Sequence, residues 1–129
     1  MTPFVFILSF SLAGDVLGNV IIPVHSEVYK TEKETISLSC NYSSASSLYW
    51  YRQYPKSTPE FLFVILHATG KVLQKSDIVD QDPRFSGKLN EEKTHTSLNI
   101  SSAKVTDSAM YFCAMEPTVT GNTKTLHKN

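Results

Sequence analysis

At 129 residues the chain has room for one domain, and removal of an N-terminal leader leaves about 110 residues, the size of one β-sandwich. Twelve Lys and Arg balance twelve Asp and Glu, so nothing marks nucleic acid or a membrane surface as a partner. Seven Phe, six Tyr and one Trp argue for a packed core rather than disorder.

The run Phe4 to Leu12 is apolar but too short to span a bilayer, and the small residues Ala13 and Gly14 follow it. It reads as a secretory signal over residues 1–14, with cleavage after Gly14 or as late as Gly18. The n-region carries no Lys or Arg beyond the terminal amine, and the competing reading is a buried strand or helix of the mature fold. Secretion changes what the two cysteines mean, since an even pair in an oxidising compartment suggests a disulfide. No CxxC is present, and two cysteines cannot build a Cys-only zinc site. His25, His67, His95 and His127 lie far apart without a helical HxxxH pair, so they read as surface residues and no metal or cofactor is expected.

Thr35 to Cys40 alternates strictly, with Ile36, Leu38 and Cys40 on one face of a half-buried strand. A Ser-rich loop, Asn41 to Ser47, leads into the aromatic strand Leu48 to Tyr54, which Pro55 closes. Pro59 introduces the continuous apolar strand Phe61 to Leu66, His67 to Gly70 turns, and Lys71 to Ser76 suits a short edge strand. After Asp82-Pro83, the segments 84–89 and 96–100 form a hairpin around Asn90 to Lys93, and Ala109 to Ala114 is the last clear strand. Many short strands without a long helical period indicate an all-β antiparallel sandwich.

Cys40, Trp50 and Cys113 specify that sandwich further. The cysteines sit on strands distant in sequence, Trp50 follows the first by ten residues, and a disulfide between sheets packed on a tryptophan characterises immunoglobulin domains. Tyr111, two residues before Cys113, stands where a tyrosine corner belongs, its hydroxyl directed at backbone near Asp107. Asp107 is also placed to form a salt bridge with Arg84 across the bottom of the sandwich.

The chain resembles the T-cell receptor alpha (or delta) variable family through Trp50-Tyr51-Arg52-Gln53, Arg84-Phe85-Ser86, Leu98-Asn99-Ile100 and the run Asp107 to Met115. The resemblance implies an immunoglobulin V-type domain over residues 15–117 with Greek-key topology. It implies an antigen-contacting surface of three loops: Ser43, Ser44, Ala45, Ser46 and Ser47; His67, Ala68, Thr69 and Gly70 with Lys71; and Met115 and Glu116. It also implies a second surface for a receptor beta chain variable domain. Alternation turns Trp50 and Cys113 inward, so Tyr51, Gln53 and Phe112 face outward, and Pro59 and Phe61 match family positions on that face. The joint target is a peptide displayed on a histocompatibility molecule, and signalling subunits would associate through a constant region absent from this chain. Localisation would be the extracellular face of the plasma membrane, with the membrane span encoded elsewhere.

Asn41-Tyr42-Ser43 and Asn99-Ile100-Ser101 fit the glycosylation sequon, and each Asn follows an inward-facing residue. The C-terminus departs from the family. No Phe-Gly-x-Gly follows Cys113, so the final strand is missing or non-native. Pro117-Thr118-Val119 can be encoded with CACAGTG and His127-Lys128-Asn129 with ACAAAAAC, the heptamer and nonamer of receptor recombination signals, at a separation fitting the longer spacer class. Residues 118–129 therefore read as germline read-through; the alternative is an unusual receptor loop cut short. A sheet without its final strand leaves backbone groups uncovered and prone to association.

Antigen recognition leads among the functions. A non-rearranging immune receptor or adhesion ectodomain is the alternative within the binding class. Catalysis has no support, since GxSxG, HExxH and phosphate-loop patterns are absent.

Overall fold

Alternation of apolar and polar residues writes most of the strands of this chain, and the computed structural model, which describes residues 3–8 (backbone only), 20–25 and 27–116, shows how they pair. The strands are β1 (Pro3–Leu8), β2 (Ile21–Pro23), β3 (Glu27–Thr31), β4 (Ile36–Tyr42), β5 (Ser47–Gln53), β6 (Glu60–Leu66), β7 (Val72–Lys75), β8 (Phe85–Leu89), β9 (His95–Ile100) and β10 (Met110–Glu116). A one-turn helix α1 (Asp77–Asp80) and a 3-10 turn at Val105–Asp107 interrupt them. One sheet has the order β3-β1-β10-β5-β6-β7 and the other β2-β4-β9-β8. No helix among the described residues is long and apolar enough to cross a membrane.

The two sheets bury their facing residues against each other. In β4 the inward Ile36, Leu38 and Cys40 are fully buried, and in β9 so are Thr96, Leu98 and Ile100. Across from them Trp50, Phe63, Ile65, Tyr111 and Cys113 fill the core from the larger sheet. The Cys40–Cys113 disulfide joins β4 to β10, one strand from each sheet. The chain it closes spans 73 residues, which stabilises the fold by about 4 kcal/mol in the chain-entropy account.

β6 is apolar at almost every position because it is covered on both sides. Trp50 pairs with Phe63 and Tyr51 with Phe61, so Leu62 is an extra residue in a bulge and also enters the core. Pro23, which lacks a donor, sits in β2, an edge strand. One edge of the larger sheet is β7, where exposed Lys75 and the flanking Lys71 discourage pairing with another chain.

The segment Pro3–Leu8, within the apolar run expected to be a leader, is a strand. It pairs antiparallel with β3 over five positions and parallel with β10 at Ile7–Met110 and Leu8–Tyr111. Thus the edge of β10, expected to stand open for want of a final strand, carries a strand from the N-terminus at its first two residues, and the sheet is not purely antiparallel. The cleavage positions Gly14 and Gly18 and the segment 118–129 lie outside the described residues.

Gly87 of β8 faces Phe63 of β6 across the core, and a Cβ there would collide with the phenyl Cε1 and Cζ. Phe63 is buried in the core and its ring must shift to admit a methyl group, so Gly87→Ala is expected to destabilise the domain by about 1–3 kcal/mol in chemical denaturation. Phe63→Leu added to Gly87→Ala should recover part of that loss; a strictly additive double variant would refute the contact as its cause.

Candidate functional site

Each sandwich end has its own chemistry. At the end bearing the β4–β5 and β6–β7 loops, backbone hydrogen bonds converge on Ser46. Its N–H donates to the Glu116 carbonyl at 2.8 Å, and its own carbonyl accepts from the His67 N–H at 3.1 Å. One residue of the first loop thereby joins the start of the second loop to the end of β10. Tyr42 Oη lies 2.9 Å from His67 Nδ1, with the rings edge to face, and Lys93 Nζ donates to the Ala68 carbonyl at 2.7 Å. Gly70 adopts φ 75° with open space around its Cα, so it is the backbone conformation and not crowding that suits glycine there.

The side chains offered to solvent at this end are fewer than the sequence suggests. Ser43, Ala68, Thr69 and Glu116 are exposed, and Ser44, Ser46, His67 and Gly70 are half-buried. Ala45, Ser47 and Met115 are at most 7% exposed, and Ala45 and Met115 belong to the core cluster. These three correct the loop assignment. Ser47 and Met115 already lie in strands β5 and β10, and the short first loop folds Ala45 under itself.

The outer face of the larger sheet is aromatic. Tyr49 and Tyr51 stack with centroids 6.4 Å apart, and Tyr51 meets Phe61 edge to face at 5.9 Å. Gln53 is half-buried beside them and Pro59 is exposed at the β5–β6 turn. Tyr49, which the sequence reading passed over, also donates from its hydroxyl to Glu116 Oε1 at 3.1 Å. Its place two residues before Tyr51 on an alternating strand was the available signal. Phe112 departs from expectation. It stands on this face yet is only 6% exposed and lies outside the central core cluster, so it adds little free apolar surface here. An open, mostly apolar groove of about 470 Å³ continues the face downward between Gln53, Tyr54 and Pro55 on one side and Ala109 and Met110 on the other.

The opposite end is a lock. Arg84 Nη1 and Nη2 donate to the two Asp107 carboxylate oxygens at 2.8 and 3.0 Å, a bidentate pair. Asp107 also accepts from the Lys104 N–H, and Arg84 further reaches Asp82 and the Ser102 carbonyl. Those hydrogen bonds, first to Asp107 and then to Asp82, push the Arg84 pKa up, and the Arg84 contact holds the Asp82 carboxyl below its ordinary value. Tyr111 donates to the Asp107 carbonyl at 2.6 Å, the tyrosine corner. In the core, the Trp50 indole N–H donates to Thr96 Oγ1 at 3.1 Å, a second link between the sheets. Thr96 was not singled out from sequence, although a threonine on the apolar phase of β9 is the signal for a buried polar partner.

Asn41 is exposed and Asn99 half-buried, both on the outer face of the four-stranded sheet. Among the described residues no three His, Cys, Asp or Glu side chains gather as a metal site.

Comparison with known proteins decides the family. The immunoglobulin V-set domain matches residues 24–128. Human T cell receptor alpha variable 8-6 is 32% identical over 85% of this chain and 92% of its own length, and alpha variable 9-2 is 32% identical over 81% and 88%. Human alpha variable 36/delta variable 7 is 36% identical over 66% and 69%. The chain belongs to the immunoglobulin V-set family, within the T cell receptor alpha and delta variable segments. The matched stretch begins after the N-terminal apolar run and contains the disulfide, Trp50 and the Arg84–Asp107 lock.

Breaking the V-set lock from one side strands a charge, because Asp107 is 4% exposed. Arg84→Ala is expected to cost about 3–5 kcal/mol in urea unfolding, and Asp82→Ala far less. Burial pushes the Tyr111 hydroxyl well above the ordinary tyrosine pKa. The stability this contributes is complete below the unfolded value near 10 and is lost as pH rises through the folded value. The urea midpoint should therefore fall above about pH 10, less steeply in Tyr111→Phe; an equal slope in both proteins would exclude Tyr111 as a contributor.

Proposed function

We propose that this domain recognises antigen as the variable domain of a T cell receptor alpha chain, pairing with a beta chain variable domain to contact peptide on a histocompatibility molecule. The observation that carries the proposal is the convergence of two loops and the end of β10 on Ser46, at one end of a V-set sandwich whose adjoining sheet face is aromatic. Such loops place adaptable hydroxyls and backbone groups toward a partner, as in Ser43, Ser44, Ala68 and Thr69. The stacked Tyr49, Tyr51 and Phe61 supply the amphipathic aromatic anchors on which domain pairing depends. The groove below Gln53 gives a partner side chain somewhere to enter. The reading places the chain in the secretory pathway, with the leader removed after Gly14 or Gly18 and the domain displayed outside the cell. Residues from Thr118 onward take no part, being replaced when the segment joins a final strand and constant region. Binding, not catalysis, is the activity.

The test is a chain carrying residues 15–117 joined to a receptor joining strand and constant region, coexpressed with beta chains. Heterodimer at the cell surface is expected. Tyr51→Ala should weaken pairing by about 2 kcal/mol, roughly thirty-fold. Thr69→Ala should leave pairing intact and weaken only binding to peptide–histocompatibility complexes. Failure to pair with any beta chain, together with native transcripts that run unbroken from the Pro117 codon into a membrane span, would defeat the proposal.

A further inference from the structure

The outer face of the four-stranded sheet is used neither by the loop cluster nor by the aromatic face. Along β4 the outward residues are Ser37, Ser39 and Asn41, and along β9 they are His95, Ser97 and Asn99. β8 continues this face with exposed Ser86 and Lys88. No salt bridge and no aromatic pair ties these residues among the described ones, in contrast to the other two surfaces.

Both Asn-x-Ser sequons present their asparagine on this face, and their settings are open in different ways. Asn99 is flanked in register by Ser37 of β4 and Ser86 of β8, so the smallest hydroxyl side chains border it on both sides. Asn41 is exposed and lies between His95 of β9 and Ile22 of β2, the latter 56% exposed. A ring and an aliphatic side chain beside an asparagine give the flat apolar side of a first sugar something to lie against. Asn41 stands four residues along β4 from the partner of Asn99, about 13 Å at the rise of a strand, so two glycans fit side by side.

We infer that Asn41 and Asn99 are both N-glycosylated on the same molecule, and that the outer face of the four-stranded sheet is the carbohydrate-bearing face of the domain, closed to protein partners. The inference rests on the secretory reading given above. In the modifying step the carboxamide Nδ2 attacks the anomeric carbon of a lipid-pyrophosphate-linked oligosaccharide. An N–C bond forms, the C–O bond to pyrophosphate breaks, the amide proton goes to base, and the lipid pyrophosphate leaves.

The experiment expresses the full chain with its own leader in a mammalian secretory line, and reads entry into the lumen separately by protease protection and disulfide formation. Intact mass should fall in two steps on treatment with peptide N-glycosidase, with Asn converted to Asp at positions 41 and 99. Asn41→Gln and Asn99→Gln should each remove one step, while Ser43→Thr and Ser101→Thr retain both. A protected, disulfide-bonded chain with one glycan or none overturns the inference and leaves the secretory reading standing; a chain outside the lumen overturns both. In the assembled heterodimer, enzymatic removal of the glycans should leave pairing unchanged, and a gain in pairing would overturn the assignment of this face.

Discussion

The Cys40–Cys113 bond holds one strand of each sheet at a single separation, and the rest of the sandwich is arranged around it. Trp50 is the register partner of Cys113 on β5, and its indole reaches back across the core to Thr96 of β9. A covalent link and a buried hydrogen bond therefore join the same two sheets. The hydrogen bond matters beyond its own strength, because an indole N–H left unpaired at this depth would cost about 1–3 kcal/mol. With the spacing set, every second residue of β5 and β10 is committed to the core, and the residues between them form the outer aromatic face. The surface proposed to pair with a partner is the reverse side of the surface that packs.

The two ends of the sandwich divide labour. Around Arg84 the side chains are committed to one another, with the bidentate Asp107 pair, the Asp82 contact and the Tyr111 corner satisfying nearly every donor and acceptor. At the opposite end the backbone does the organising, through the Ser46 N–H and carbonyl, while the exposed Ser43 and Thr69 hydroxyls accept only from neighbouring backbone N–H groups, those of Val20 and Lys71. A variable receptor domain needs that division, since loops that bind diverse targets can change sequence without unlocking the frame that carries them.

Edges are the remaining constraint. β7 meets solvent with Lys75 and the flanking Lys71, β2 with a proline, and β10, in the chain before leader removal, pairs at its first two residues with a strand from the N-terminus. That last pairing is parallel and short, whereas β10 and β5 are joined over seven positions. The stable part of the larger sheet is thus β10-β5-β6, the same strands that carry Tyr49, Tyr51 and Phe61.

The local pattern of the chain was enough to determine the strands from β4 onward, the disulfide, Trp50, Tyr111 and the partnership of Arg84 with Asp107, whereas β1, β2 and β3 were not legible in it. Alternation has a period of two and is written in neighbouring residues, and the Cys, Trp and Tyr spacings follow from it. Tertiary structure decided which residues at the edges of those elements are covered. Ala45, Ser47 and Met115 look like loop residues by position, yet the core reaches up beneath them. Phe112 faces outward by alternation and is buried nonetheless. Gly87 carries no sign in its own neighbourhood that Phe63, on another sheet, fills the space its side chain would need. Burial at such positions depends on what arrives from distant parts of the chain, and sequence periodicity holds no record of it.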